Sequence, residues 1–526
     1  MTESRATSSR WSSYLASRSV LEDPFVELDW SQARLDAATL DALRPRMQQA
    51  LAAMARLEQG ALANPDEQRM VGHYWLRTPS LAPTEAIQSE IVSVVERIEL
   101  LAADVHAGVL RSPEGDRFRK VVLCGIGGSA LGPMLLADVF GVPAAPMQLC
   151  VLDNTDPDGI DLALGRLGTL RDALVLVISK SGGTPETRNG MLEVQRACRA
   201  QGLAFAPRAI AITMAGSKLE AEARAGGWLA TLPMWDWVGG RTSVTSAVGL
   251  LPGALIGMDV RGFLAGAAAM DALTRSQVLE SNPAAVLAAV WHAQGCGRGD
   301  RAMVVLPYKD RMVQFSRYLQ QLVMESLGKE LDRAGRTVEQ GLAVFGNKGS
   351  TDQHAFVQQL RDGRPDFFAA FVRVLHDREG RSEDVEPGVT AGDYLDGFWQ
   401  GTRAALAEKG RASLTLTIAR LEERSLGAIV ALFERAVGLY AELVDLNAYH
   451  QPGVEAGKKA AERVLQLQRR LLAALGTREE GVEALAARIG ADPADCWPIL
   501  AHLAANDRVQ AVHGRDPLAA RFRARG

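Results

Sequence analysis

From Lys120 onward the chain alternates short, uninterrupted apolar runs with amphipathic stretches. Residues 121–124 form the first run, ending at Gly125, and residues 148–152, 173–178 and 209–213 repeat the pattern. A strand with one wet face would alternate apolar and polar residues, so these continuous runs predict parallel strands covered on both faces. With amphipathic segments between them, they predict an α/β unit built on a doubly wound parallel sheet, closing near residues 251–253. A second unit of the same pattern follows residues 281–283, with strands predicted at 302–306, 342–345 and 371–375. Between its first two strands, residues 311–328 place Phe315, Leu319, Leu322 and Val323 along one face, which predicts a helix.

The flanks read differently. Residues 26 to about 110 carry Ala, Leu, Met and Gln at helical spacing, most clearly over 37–62, with Pro65, Pro79 and Pro83 as breaks. After residues 414–418 the pattern turns helical again. From Thr477 a small helical module is predicted: a helix over 482–489, a turn at Gly490 and Pro493, and a helix over 497–505. It resembles a winged helix-turn-helix. Its seven basic and seven acidic residues give it no surplus of cations for phosphates, so packing or assembly is the expected role. The expected organisation is a helical N-terminal arm (1–110), two α/β units (111–280 and 281–470) and a helical C-terminal tail (471–526).

Composition narrows the function classes. The chain has 526 residues, 47% apolar and 23% charged, enough for about three domains with ordinary cores. A net charge of −4 gives no broad basic field, so neither nucleic acid nor an acidic membrane is expected as a partner. The five cysteines (Cys124, Cys150, Cys198, Cys296 and Cys496) are scattered and odd in number, which favours a reducing, cytoplasmic setting over a disulfide framework. The first ten residues lack the apolar stretch of a secretory leader, and no run of about 18 apolar residues predicts a membrane span. The eight histidines show no ligand spacing, so no metal or other cofactor is expected.

Six segments carry candidate chemistry. GIGGS (125–129) follows a predicted strand, where glycines admit a close backbone approach and a helix begins. Gly125, Gly127 and Ala130 also satisfy a loose dinucleotide-binding spacing, with Asp153 at the end of the next strand, so an NAD(P) oxidoreductase is an alternative. SKSGGT (179–184) places Ser179, Lys180, Ser181 and Thr184 at another helix start, a donor set suited to a monophosphate. In VGGRTS (238–243), Arg241 follows two glycines and could stabilise an oxyanion. ESLGK (325–329) puts Glu325 near the end of an apolar helix, as a tuned base or as the partner of Lys329 in a salt bridge. His354, at a loop-to-helix start, is an acid/base candidate or a buried polar residue. QPGVEAGK (451–458) reads as a helix start bearing Lys458.

Taken together and in this order, over residues 121 to 458, these segments closely resemble the phosphoglucose isomerase family. The resemblance implies two sugar-isomerase domains in a homodimer acting on a sugar phosphate, glucose 6-phosphate or fructose 6-phosphate, through a cis-enediol. It implies that Glu325 shuttles the proton and Arg241 stabilises the enediolate. His354, lent by the partner subunit, and Lys458 assist ring opening. Ser179, Ser181 and Thr184 hold the phosphate with Lys180 near them, while Gly128, Ser129 and Gln451 line the sugar. Two departures touch the site: Leu327 stands where the family commonly has Asn, and residues 349–354 read GSTDQH where many members read GTNGQH. A non-catalytic sugar-phosphate sensor is the other alternative.

Overall fold

The computed structural model describes residues 10–65, 67–512 and 516–525, with the backbone alone for residues 454–456, 458 and 459. The expectation for the extreme N-terminus falls almost wholly outside the described residues. The chain forms two compact units, residues 1–450 and 451–526, a coarser division than the four segments expected from sequence.

The first sheet of unit one has five parallel strands in the order Gln148–Leu152, Lys120–Cys124, Ala173–Ile178, Ala209–Thr213, Ala230–Pro233. Its central strand, ALVLVI, is buried at every position, as a continuous β-branched and leucine run requires. The fifth strand, ATLP, is short and only partly buried at three of its four positions, so it lacks the apolar run by which the other four were read. In chain order the strands run 2-1-3-4-5. Connections leave the first and third strands in opposite directions, opening a crevice at their carboxyl ends. GIGGS follows the first strand and SKSGGT follows the third, so topology alone brings these loops to the crevice.

The second sheet has six strands. Val344–Phe345, Ala302–Pro307, Phe367–Val374 and Ser413–Ile418 are parallel and repeat the 2-1-3-4 order. The third begins four residues earlier than its sequence suggested, because the apolar run FFAAF is continuous with it. Two further strands come from the N-terminal arm. Val26–Asp29 pairs antiparallel with Ser413–Ile418, and Arg18–Leu21 forms the outer edge. The arm was expected to be helical, and its two long helices, Ala37–Glu58 and Glu85–Ala107, are present. The strand Val26–Asp29 has no apolar run to mark it, since VELD reads as polar. Glu27 and Asp29 are nonetheless buried, Glu27 accepting from Tyr14 and Arg18 and Asp29 paired with Arg403.

The helix Glu423–Leu443 is buried along almost its whole length. It lies so close to the helix Val260–Leu273 that a Cβ on Gly427 would overlap the Phe263 carbonyl, and one on Gly266 the Arg424 carbonyl. Unit two contains the helices Pro452–Ala474, Val482–Ile489 and Pro493–Ala505, with Gly490 in the left-handed region ending the second. A hairpin, Val509–Val512 with Arg521–Ala524, and a bridge from Glu480 to Phe522 complete a winged-helix arrangement around Leu485, Leu500, Leu503 and Phe522. The hairpin is a difference from the all-helical tail expected.

If the N-terminal strands are integral to the second sheet, Leu28→Ala will remove a 2%-exposed side chain from its core. We expect a loss of about 2–5 kcal/mol in denaturant unfolding; an unchanged midpoint would show that the hairpin is dispensable.

Candidate active site

The two crevice loops are built differently. Gly127, at φ +57°, precedes the helix Gly128–Phe140, and a positive φ there favours glycine. Gly128 packs against a third loop: a Cβ would overlap the carbonyl of Gly240. Ser243 fastens this contact, its hydroxyl donating to the carbonyls of Gly240 (2.7 Å) and Gly128 (3.4 Å). Gly128 therefore serves a backbone-to-backbone approach that carries the Arg241 turn to the first loop.

In SKSGGT the Ser179 hydroxyl accepts from the Gly182 N–H (3.1 Å) and donates to Thr184 Oγ1 (3.3 Å), while Ser181 Oγ accepts from the Gly183 N–H (3.1 Å). The helix Pro185–Ala200 starts at Thr184 with no side-chain cap, so its positive end faces the crevice beside three hydroxyls. Lys180 points elsewhere. Its ammonium donates to the carbonyls of Asp236 (2.8 Å) and Val238 (3.0 Å), tying the loop to the segment that leads into Arg241. Burial, with Arg69 adding to it, lowers its pKa to about 8.

Arg241 sits in the 3-10 turn Gly240–Thr242, just after a segment in which Trp235 stacks on Trp237 and Trp237 meets Trp75. Its guanidinium donates to the His450 carbonyl (3.1 Å) and its Nη1 lies 3.6 Å from Glu325 Oε2. Burial pulls the Arg241 pKa below its ordinary value, with Glu325 opposing the shift. Among the described residues neither Arg241 Nη1 nor Glu325 Oε2 has a hydrogen-bond partner. A cation and a carboxylate thus face each other across a distance longer than a hydrogen bond, each with capacity left for a ligand. A small cavity of about 50 Å³ lies against Arg241, bounded by His73, Ser326, Glu434 and Tyr449. Burial, then Arg77 and Arg435, keeps the His73 imidazole well on the neutral side.

Glu325 closes the predicted helix, which is α-helical over Val313–Leu319 and then widens to a π-turn over Gln320–Glu325. Such turns cluster at functional sites, and no residue pattern in QQLVME announces one. The sequence allowed a salt bridge between Glu325 and Lys329. The ammonium instead donates to the main-chain carbonyl of Glu325, at 2.7 Å, leaving the carboxylate to Arg241. Burial, then the Arg241 charge, lowers the Lys329 pKa to about 7.

His354 is exposed at the end of the turn Thr351–His354, and among the described residues no hydrogen bond or ion pair joins it to Glu325 or Arg241. Its loop is firmly held: the buried Asp352 carboxylate accepts from the Asn347 and Lys348 N–H groups, and Gln353 donates to the Phe398 carbonyl. Gln451 and Lys458 belong to unit two. Gln451 is exposed ahead of the helix Pro452–Ala474, and the Lys458 side chain lies outside the described residues.

An anion cradle at a doubly wound crevice, joined to a buried cation–carboxylate pair, is the architecture of an enzyme acting on a small phosphorylated substrate. The phosphoglucose isomerase profile matches residues 29–389 and 402–473, so the chain belongs to that family. It is 56% identical over 492 residues to the glucose-6-phosphate isomerase of Synechococcus elongatus, covering 92% of this chain and 93% of the relative. With that of Geobacter sulfurreducens it shares 57% over 508 residues, 95% and 96% of the two chains. The crystal structure of a glucose-6-phosphate isomerase from Chlamydia trachomatis superposes with a TM-score of 0.78 at 26% identity, covering 87% of this chain and 91% of that one.

The packing of Gly128 on Gly240 makes a sharp prediction. Gly128→Ala will displace the Arg241 turn, and a shift near 1 Å costs on the order of 10²-fold in turnover. Wild-type turnover in the variant would mean that this contact does not set the position of Arg241.

Proposed function

We propose that the protein interconverts glucose 6-phosphate and fructose 6-phosphate through a cis-enediol, as an aldose–ketose isomerase. The observation that carries the reading is the Arg241–Glu325 pair, 3.6 Å apart and without other hydrogen bonds at the facing atoms among the described residues. Moving a proton between carbons 1 and 2 needs one base on one face of the sugar, and a fixed cation where negative charge develops on oxygen. Glu325 takes the proton from one carbon and returns it to the other. Arg241 stabilises the enediolate, and its burial strengthens that effect by excluding water.

The three hydroxyls of Ser179, Ser181 and Thr184, with the uncapped helix end, hold the phosphate far from the reacting carbons and so orient the sugar. Lys180 couples this loop to Arg241 rather than meeting the phosphate itself. Gly128, Ser129 and Gln451 line the sugar. His354 and Lys458 serve ring opening, and the exposure of His354 on a braced loop supports its donation to a partner subunit's site in a homodimer. In this reading residues 111–280 and 281–470 are the two sugar-isomerase domains, the protein works in the cytoplasm, and the tail serves assembly. Among the described residues no helix is long and apolar enough to cross a membrane.

Formation of glucose 6-phosphate from fructose 6-phosphate, followed with a coupled dehydrogenase in EDTA, tests the reaction directly. Folded protein without turnover would favour the sugar-phosphate sensor. Glu325→Gln is expected to lower kcat by about 10²–10⁴-fold while sugar-phosphate binding is retained; lost binding would make Glu325 a structural residue. The shared site is tested by mixing inactive His354→Ala and Glu325→Gln subunits under conditions of proven exchange. Partial recovery of activity is expected, and its absence would refute donation of His354 across subunits.

A further inference from the structure

The costliest group near the candidate base is a lysine. Lys329 is 5% exposed, yet among the described residues no carboxylate lies within ion-pair distance of its ammonium. Its hydrogen bond is to the main-chain carbonyl of Glu325, at 2.7 Å. An ammonium buried without a paired anion destabilises a fold, and groups kept at such a cost collect at functional sites. An apolar side chain of similar length would fill the same volume without the penalty.

Geometry gives the lysine a task. The Glu325 carbonyl belongs to the last turn of the helix, where carbonyls lack intrahelical donors and the dipole favours a cation. Lys329 opens the hairpin Lys329–Leu331 with Thr337–Gln340, pairing with Gln340, so its backbone is anchored by a neighbouring element. From that anchor the ammonium reaches back four residues to the peptide unit from which the base projects. The charges felt by Lys329 are those of Arg241, on the Gly240–Thr242 turn, and Glu325 itself, on the π-turn. Arg241 approaches the carboxylate of Glu325 while Lys329 grips its main chain, so two cations fix one base from two elements.

Resting on the isomerase reading above, we propose that Lys329 is a positioning residue for proton transfer, holding the backbone of Glu325, and with it the carboxylate, in place opposite Arg241. Loss of the ammonium frees that peptide unit, so the carboxylate leaves its productive position and kcat falls while substrate binding is kept.

Lys329→Met and Lys329→Gln, each checked for native circular dichroism, are compared with the wild type in the fructose 6-phosphate assay. The Met variant is expected to lose about 10- to 100-fold in kcat with KM changed no more than about threefold. Gln keeps a donor, so it should recover part of kcat, and it carries the test should the Met variant fail to fold. Wild-type kcat in the folded variants would overturn the proposal, as would a fall in kcat matched by a rise in KM or one as large for Gln as for Met. A wild-type protein without turnover would overturn the isomerase reading and this inference together, whereas an active wild type with unaltered variants would count against Lys329 alone.

Discussion

Six charged side chains meet in the interior of unit one, and the geometry of the site depends on them. Arg77 pairs with Asp271 at 3.1 Å and with Glu434; Arg435 pairs with Glu58 at 2.7 Å and Asp271 at 3.3 Å; Arg275 pairs with Glu58 at 3.1 Å. Three cations and three anions balance. Burial pushes the Glu58 pKa up, but Arg435 and Arg275 outweigh it and keep the carboxylate charged. The members come from the N-terminal arm, the helix Val260–Leu273 with its exit, and the buried helix Glu423–Leu443, so the cluster forms only when all three are in register. Loss of one partner leaves an uncompensated charge, at a cost of about 3–5 kcal/mol. Tyr318 extends the cluster to the helix that ends in Glu325, its hydroxyl donating to Glu434 at 3.4 Å.

The two large sheets share a strand order but differ at their crevices. In the first, the helix Pro185–Ala200 presents an uncapped N-terminus with hydroxyls around it, which suits a phosphate. In the second, the helix Ala391–Glu408 carries a capping box between Thr390 and Asp393, and the Asp377 carboxylate packs where a Cβ on Gly392 would stand. Arg373, stacked 4.4 Å over Trp399, is already paired with Asp396 at 2.6 Å. The protein's own carboxylates therefore occupy the positive end that an anion would seek. The strand Ala302–Pro307 of the second sheet is followed instead by the helix that ends at Glu325, so one strand order carries two different crevices.

Several features escaped the sequence for a common reason: their meaning lies in a partner distant along the chain. The strand VELD looks polar until Arg403 meets Asp29, 374 residues away. Lys329 looks like the partner of the Glu325 carboxylate, because spacing brings the two residues together but does not say which oxygen the ammonium reaches. Lys180 sits among the hydroxyls of a helix start in the sequence, yet its ammonium turns to carbonyls 56 and 58 residues on.

The sequence by itself determined the α/β class, most of the parallel strands, the loops that flank the crevice and the family. Continuous apolar runs and glycine-rich turns are local consequences of burial and backbone sterics, and local rules suffice to read them. Tertiary structure alone decided that Gly128 abuts Gly240, that Arg241 faces Glu325 at 3.6 Å, and that the N-terminal arm completes the second sheet. Those arrangements join residues dozens to hundreds of positions apart. Their energies come from packing and from charges that attract strongly only once water is excluded, and no local pattern records that.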